Sequence, residues 1–300
     1  MKNKTLYIII GPTASGKTSF AIEMAEYLKT EIISADSRQI FREMNIGVAR
    51  PTLSELQRVK HHLIASWSVR EKYSVARYET EALQIINSLF EKRKTLVTVG
   101  GSGLYIDAIV KGIDNMPDIS DKTREKVSQL LKTEGLIALQ RELKKCDPDY
   151  YKEVDIQNPR RLQRALEVCW ESSQTFSFFR KNNKVERDFD IKIIGLRRNK
   201  EDLQNRINKR VDIMIEEGLV SEVKVLQEYR DLIALNTVGY KEIFKYLDNR
   251  ISFNEAIEQI KIHTRQYAKR QMTWFNKMSN VFWLDIDGKQ EAKIDFDNIL

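Results

Sequence analysis

One octapeptide, Gly11-Pro12-Thr13-Ala14-Ser15-Gly16-Lys17-Thr18, constrains this chain more than any other stretch. It follows a short apolar run, Leu6–Ile10, and precedes a helical pattern carrying Phe20, Ile22, Met24, Ala25 and Leu28. Strand, glycine loop and helix form the context in which GxxxxGK[ST] works as a phosphate cradle. Gly11 and Gly16 let the backbone curl so that its N–H groups face an anion, and the helix N-terminus adds partial positive charge. Lys17 brings a mobile full charge, and the Thr18 hydroxyl suits a magnesium ion. A diphosphate-like group is the expected ligand, and the molecule that carries it is left open by the loop alone.

Residues 5–110 read as alternating strand and helix. Strands are expected at Leu6–Ile10, Glu31–Asp36 and Thr95–Val99, the last ending at Gly100-Gly101. Apolar strands separated by helices indicate a parallel sheet covered on both faces, with ligands collecting at the carboxyl ends of the strands. From Pro117 to about Arg187 strand patterns vanish. Helices are expected at Lys122–Glu134, Leu136–Lys144 and Arg160–Trp170, with a break at Asp147-Pro148-Asp149. Phe189–Leu196 returns to a core strand, Leu203–Gly218 and Glu255–Lys277 read as helices, and Asn280–Asp285 reads as a last strand. The expected fold is therefore α/β, a parallel sheet of the P-loop NTPase type flanked by helices. Residues 1–116 and 188–300 would form the core, and 117–187 a helical insertion lobe.

Hydrophobic residues make up 42% of the 300 and charged residues 31%, enough for a packed core and too ordered a mixture for long disorder. No apolar run reaches the roughly 18 residues that a membrane span needs. The run after Met1-Lys2-Asn3-Lys4 is too short for a signal peptide. Cys146 and Cys169 are too few to frame a disulfide scaffold or a zinc site. A cytoplasmic protein is expected, and a monomer. The net charge of +7 suits a nucleic-acid partner and does not by itself require one.

Several residues at the strand ends have two readings. Asp36 suits a helix N-cap, a magnesium ligand, or a general base that takes a proton from a nucleophile. Gly100-Gly101-Ser102-Gly103 is either a tight turn or a close backbone approach that brings the Ser102 hydroxyl to a reacting group. Arg210 borders the Ile207/Val211/Met214 stripe, where a guanidinium either grips diphosphate oxygens or lies on a solvated face. Arg160-Arg161-Leu162-Gln163-Arg164, and Lys261, Arg265 and Lys269 beside Tyr267 and Trp274, suit RNA or, equally, a solvated charged face. His61-His62 has no partners for a metal site and reads as surface or loop.

Taken in order, these pieces resemble the tRNA dimethylallyltransferase (tRNA isopentenyltransferase) family in its bacterial form. The resemblance covers almost the whole chain. It rests on Gly11–Thr18 (GPTASGKT), Asp36–Gln39 (DSRQ), Met44–Pro51 (MNIGVARP), Val99–Tyr105 (VGGSGLY) and Arg161–Glu167 (RLQRALE), and continues through Gly218–Val223 (GLVSEV), Val238–Tyr240 (VGY) and Thr264–Phe275 (TRQYAKRQMTWF). The phosphate loop by itself is common to many unrelated enzymes; the ordered set is not. The Cys–His zinc module of longer eukaryotic relatives is not found.

The resemblance implies transfer of a dimethylallyl group from dimethylallyl diphosphate to N6 of adenosine 37 in tRNA, with Mg²⁺ as cofactor. The phosphate loop, whose motif alone reads as ATP-binding, would then hold the isoprenoid diphosphate through residues 11–18. The resemblance makes Asp36 the base and Ser102, where threonine is usual, its helper. Lys17 and Arg210 would stabilise the leaving diphosphate and Thr18 would contact the metal. Asp36, Ser37, Arg38, Gln39, Ser102, Arg124, Arg160, Arg161, Leu162, Gln163 and Arg164 match residues that contact the tRNA anticodon stem-loop. The chain departs from the family pattern at Phe41 for tyrosine, Val48 and Arg50 for threonine and lysine, Ala65 for aspartate, and Asp155 for histidine. Two other classes stay in view: a small-molecule kinase built on the same loop, and a non-catalytic RNA-binding relative.

Overall fold

The strand before the phosphate loop lies at the centre of the sheet. In the computed structural model, which describes residues 4–181, 185–286 and 296–298, β1 (Thr5–Ile10) pairs in parallel with strands on both sides. Its side chains alternate between two cores. Leu6, Ile8 and Ile10 join the cluster on one face, and Tyr7 and Ile9 the cluster on the other. A strand buried on both faces is why this run is apolar at every position rather than at every second one.

From β1 the chain continues through α1 (Lys17–Tyr27), β2 (Ile32–Ser34), α2 (Leu53–Arg58), β3 (His61–His62), α3 (Val75–Phe90), β4 (Thr95–Val99) and α4 (Gly103–Lys111). There follow α5 (Asp121–Cys146), α6 (Pro148–Glu153), α7 (Pro159–Ser172) and α8 (Phe176–Phe179), then β5 (Asp190–Arg197), α9 (Lys200–Glu216), α10 (Leu219–Val225), α11 (Tyr240–Leu247), α12 (Phe253–Phe275) and β6 (Val281–Asp285). The sheet has six parallel strands in the order β3-β2-β4-β1-β5-β6. The chain leaves β1 for β2 and later returns to lay β4 between them. Crevices form at such reversals, outside the carboxyl ends of the strands. The phosphate loop, Asp36 and Gly100–Ser102 all follow those ends.

The chain divides into two units, residues 1–110 with 186–300, and residues 111–185. The sequence expectation set the lobe at 117–187. The limits fall earlier because the chain departs as soon as α4 ends, and Val185 N–H donates to the Lys111 carbonyl at 3.0 Å. Within the lobe, Val127, Leu139, Leu143, Leu162, Ala165 and Leu166 form a core of their own. Gly135, at φ 76°, breaks α5 between the two helices that the sequence suggests. Asp147-Pro148-Asp149 does more than break a helix. The buried Asp147 carboxylate accepts the Tyr150 N–H at the start of α6, and it also accepts the Ser177 N–H and hydroxyl from α8.

Other expectations need correction. His61-His62 is not a loop: it is an edge strand paired with β2, and His62 Nε2 meets the Glu31 carboxylate at 2.7 Å. Two residues are too short a run to show periodicity. The second strand ends at Ser34, so Asp36 lies in the loop beyond it. α9 begins three residues earlier than expected, because the Asn199 side chain caps it by accepting the Asp202 N–H. Among the described residues no helix is long and apolar enough to cross a membrane. Met1–Asn3 and 182–184 lie outside the described residues.

Candidate active site

The phosphate loop closes into α1 through Gly16 at φ 95°, a left-handed conformation that side-chain-bearing residues rarely adopt. A loop that curls its N–H groups inward turns its carbonyls outward, where they need donors. Four cationic side chains hold it. Lys17 Nζ donates to the Pro12 carbonyl at 2.6 Å, Arg206 Nε to Ala14 at 2.9 Å and Arg198 Nε to Ser15 at 2.9 Å. Arg210 Nη1 meets the Thr13 hydroxyl at 3.3 Å. The Ser15 hydroxyl is buried with no protein partner. Burial, together with the neighbouring Arg210, lowers the Lys17 ammonium to about 7, against a weaker opposing pull from Asp36. Burial lowers Arg210 as well. Such a cluster is costly in the dry state and is relieved by an anion of high charge.

Asp36 is held by the turn that follows it. Its Oδ1 accepts the N–H groups of Arg38 at 2.8 Å and Gln39 at 3.2 Å. The Ser102 hydroxyl accepts the Ser37 N–H at 2.9 Å and donates to the Ser37 hydroxyl at 3.1 Å. Ser102 therefore fixes the turn that carries Asp36. Gly100 makes this possible, since a Cβ there would collide with the Ala35 carbonyl. Gln39 Nε2 donates to the carbonyls of Val48 and Ala49, tying the Asp36 turn to the segment that carries MNIGVARP.

That segment is pinned from its other side. The Glu222 carboxylate accepts the N–H groups of Asn45, Ile46 and Gly47 at 2.8–3.0 Å, and the Tyr240 hydroxyl at 2.6 Å. Three stretches that are remote in sequence, MNIG, GLVSEV and VGY, thus interlock around one carboxylate. Arg50 holds the same segment, its Nη2 donating to the carbonyls of Phe41, Arg42 and Met44. Phe41 is buried in the core. Val48 lines the cavity described next.

Thr13, Asp36, Arg38, Arg210, Thr264 and Tyr267 border a cavity of about 110 Å³ together with apolar Val48, Val211, Met214, Val238 and Ile260. Thr237 also borders it, and α12 contributes Ile260, Thr264 and Tyr267. Gln271, buried, accepts the Thr13 N–H through Oε1 at 2.8 Å and donates to the Gly101 carbonyl through Nε2 at 2.9 Å. Gln271, Arg198, Arg206 and Glu222 were not singled out by sequence reasoning, although Gln271 and Glu222 lie inside the quoted motifs.

The oxygen donors that could hold a magnesium ion are Thr18 and Asp36. Thr18 stands in the first turn of α1, and Asp36 is the carboxylate that faces Lys17. No group of three His, Cys, Asp or Glu side chains among the described residues could enclose a metal. Mg²⁺ takes one or two protein oxygens and fills its shell with water and phosphate oxygens.

The basic candidates fall into different environments. Arg124, Arg160 and Arg161 are exposed on the lobe. Arg164 is half-buried, 3.7 Å from Glu167. Leu162, expected among the tRNA contacts, is fully buried in the lobe core because it lies on the apolar face of α7, so its side chain offers nothing to a partner. The row Lys261, Arg265 and Lys269 is not a free basic face. Lys261 pairs with Asp212 at 2.8 Å and Arg265 Nη1 donates to Asn208 at 2.9 Å, both on α9.

The IPP transferase family model matches residues 39–278. The tRNA dimethylallyltransferase 1 of Bacteroides fragilis is 46% identical over 291 residues, covering 97% of each chain. The tRNA dimethylallyltransferase of Christiangramia forsetii is 46% identical, covering 96% of this chain and 95% of its own. Among solved structures, the full-length tRNA isopentenylpyrophosphate transferase of Bacillus halodurans matches with a TM-score of 0.70 at 36% identity, over 99% of this chain and 93% of that one. A eukaryotic dimethylallyltransferase acting on tRNA matches with a TM-score of 0.78 at 27% identity, over 98% of this chain and 75% of that one. With the family model matching residues 39–278 and relatives 46% identical over almost the whole chain, the chain belongs to the tRNA dimethylallyltransferase (IPP transferase) family.

Proposed function

We propose that this protein transfers the dimethylallyl group of dimethylallyl diphosphate to N6 of adenosine 37 in tRNA, releasing diphosphate. One observation carries this reading: a single cavity joins a cation-held phosphate loop, a carboxylate and an apolar wall. A kinase would need a polar acceptor site beyond the phosphates, whereas this cavity is bordered by apolar Val48, Val211, Met214, Val238 and Ile260, with a few hydroxyl groups, those of Thr237, Thr264 and Tyr267, among them.

The adenine amino group is a poor nucleophile, because its lone pair is delocalised into the ring. It needs a proton acceptor and an electrophile with a good leaving group. In the proposed step the C1–O bond breaks and its electron pair leaves with the diphosphate. The N6–C1 bond forms, and Asp36 takes the N6 proton. Lys17, Arg210 and the loop N–H groups stabilise the charge that grows on the leaving oxygens. Mg²⁺, held through Thr18, would supply further Lewis-acid neutralisation of that charge when bound. Ser102 acts through Ser37, holding the turn that aims Asp36. An exposed loop base is flipped out of its stack to reach the carboxylate. Arg124, Arg160 and Arg161 supply phosphate contacts to the anticodon stem-loop, with Arg164 as a half-buried support. The reading carries with it a cytoplasmic monomer. Incubation with labelled dimethylallyl diphosphate, Mg²⁺ and unmodified tRNA tests it: label enters the tRNA, and ATP turnover without label transfer would favour the kinase instead.

A further inference from the structure

Arg206, Arg210 and Met214 follow one another at four-residue intervals on α9. The first two grip Ala14 and Thr13 of the phosphate loop. Met214 is next on that face, about 6 Å beyond Arg210 along the helix axis. It lines the same cavity. α12 gives a parallel scale: Gln271 binds the loop, and Tyr267, Thr264 and Ile260 follow along the cavity, Ile260 furthest away. The wall at Val238 and Gly239 is stiffened, because the buried Glu242 accepts the Gly239 N–H at 2.8 Å and contacts His263 at 2.6 Å. Val211 and Ile260 are fully packed, whereas Met214 is only partly buried.

We propose that Met214 sets the length of the prenyl chain, closing the cavity behind five carbons and excluding ten. This rests on the function proposed above and names its substrate range. From C1 to a terminal methyl, a dimethylallyl group spans three carbon–carbon bonds of about 1.5 Å each. With the diphosphate at Arg210, that length ends at the Met214 turn. A geranyl chain adds four further bonds to its longest path and meets the Met214 side chain. The chemistry is indifferent to chain length. In either case C1–O breaks with its electron pair going to diphosphate, N6–C1 forms, and the proton goes to Asp36.

The test is competition between the five-carbon and ten-carbon diphosphates for transfer to tRNA by the full-length protein. Met214→Ala is expected to raise the ten- to five-carbon product ratio by about ten-fold or more, the scale on which extra methylenes are discriminated. Met214→Phe is expected to lower kcat/KM for the five-carbon donor about ten-fold while inhibition by inorganic diphosphate stays unchanged. An unchanged ratio in Met214→Ala, or a proportional fall with both donors, overturns the assignment. Failure of the underlying function is a separate result: the unsubstituted protein would then transfer no five-carbon group.

Discussion

Gln271 Oε1 accepts the backbone N–H of Thr13 at 2.8 Å, across 258 positions of sequence. Through its other amide atom the same side chain holds Gly101, so one residue of α12 joins the phosphate loop to the turn that bears Ser102. The phosphate loop and the turn beside Asp36 are thereby tied together through one side chain. Replacing Gln271 by Ala leaves the part-buried Thr13 N–H and the buried Gly101 carbonyl without this partner, an expected cost of about 1–3 kcal/mol. Chemical denaturation measures that loss. Prenyl transfer is expected to fall about 10²-fold from the misplaced loop, with tRNA affinity retained. A Gln271→Ala protein of unchanged stability and rate would remove the bridge from the mechanism.

Lys17 gives a proton-linkage signature. Its ammonium titrates at about 7 in the folded protein, against 10.5 when unperturbed. The unfolded chain therefore binds the proton more tightly, and the Lys17 contribution to stability rises with pH between about 7 and 10.5. A bound diphosphate reverses the balance by favouring the charged form. At pH 8 diphosphate binding should take up close to one proton, and fewer at pH 6. Calorimetry in buffers of different ionisation enthalpy reads this directly, and Lys17→Met should abolish it. Binding at pH 8 with no proton uptake would contradict the assignment.

The exposed lobe arginines are the groups to change for RNA binding. Arg160→Ala and Arg161→Ala should each weaken tRNA binding and reduce the log–log salt slope by about 1. Arg164, already beside Glu167, should give the smaller change. Filter binding across a salt series distinguishes them, and equal slopes in all three variants would count against these contacts.

Ala65 occupies a left-handed conformation, φ 50°, while its N–H donates to the Gln39 carbonyl at 2.9 Å. Asparagine and aspartate tolerate that region better than alanine. Ala65→Asn should stabilise the protein by about 0.5–1 kcal/mol, seen as a rise in Tm of about 2 °C. The departure from the family's usual aspartate would then be a local strain. A lower Tm would contradict it.

What the sequence could convey depended on range. The phosphate loop was legible because β1, the turn and α1 are adjacent and each residue's neighbours decide its conformation. Gly135 was legible as a helix break for the same reason. The Gln271–Thr13 bond was not, since helical periodicity says which face of α12 is apolar but not which loop it meets. Glu222 reads as an ordinary surface acid until the Asn45–Gly47 turn is folded onto it. Lys261 and Arg265 read as a basic stripe because their partners, Asp212 and Asn208, belong to another helix.

The most direct measurement of the central claim is nucleoside mass spectrometry on tRNA after reaction with the unsubstituted protein and with Asp36→Asn. The asparagine keeps the Oδ1 contacts to Arg38 and Gln39 and loses the proton acceptor. The unsubstituted protein should add one five-carbon unit to the adenosine at position 37, and Asp36→Asn should bind the same tRNA while transferring about 10²–10⁴-fold more slowly. Equal rates from the two proteins, or a five-carbon unit on a different nucleoside, would contradict it.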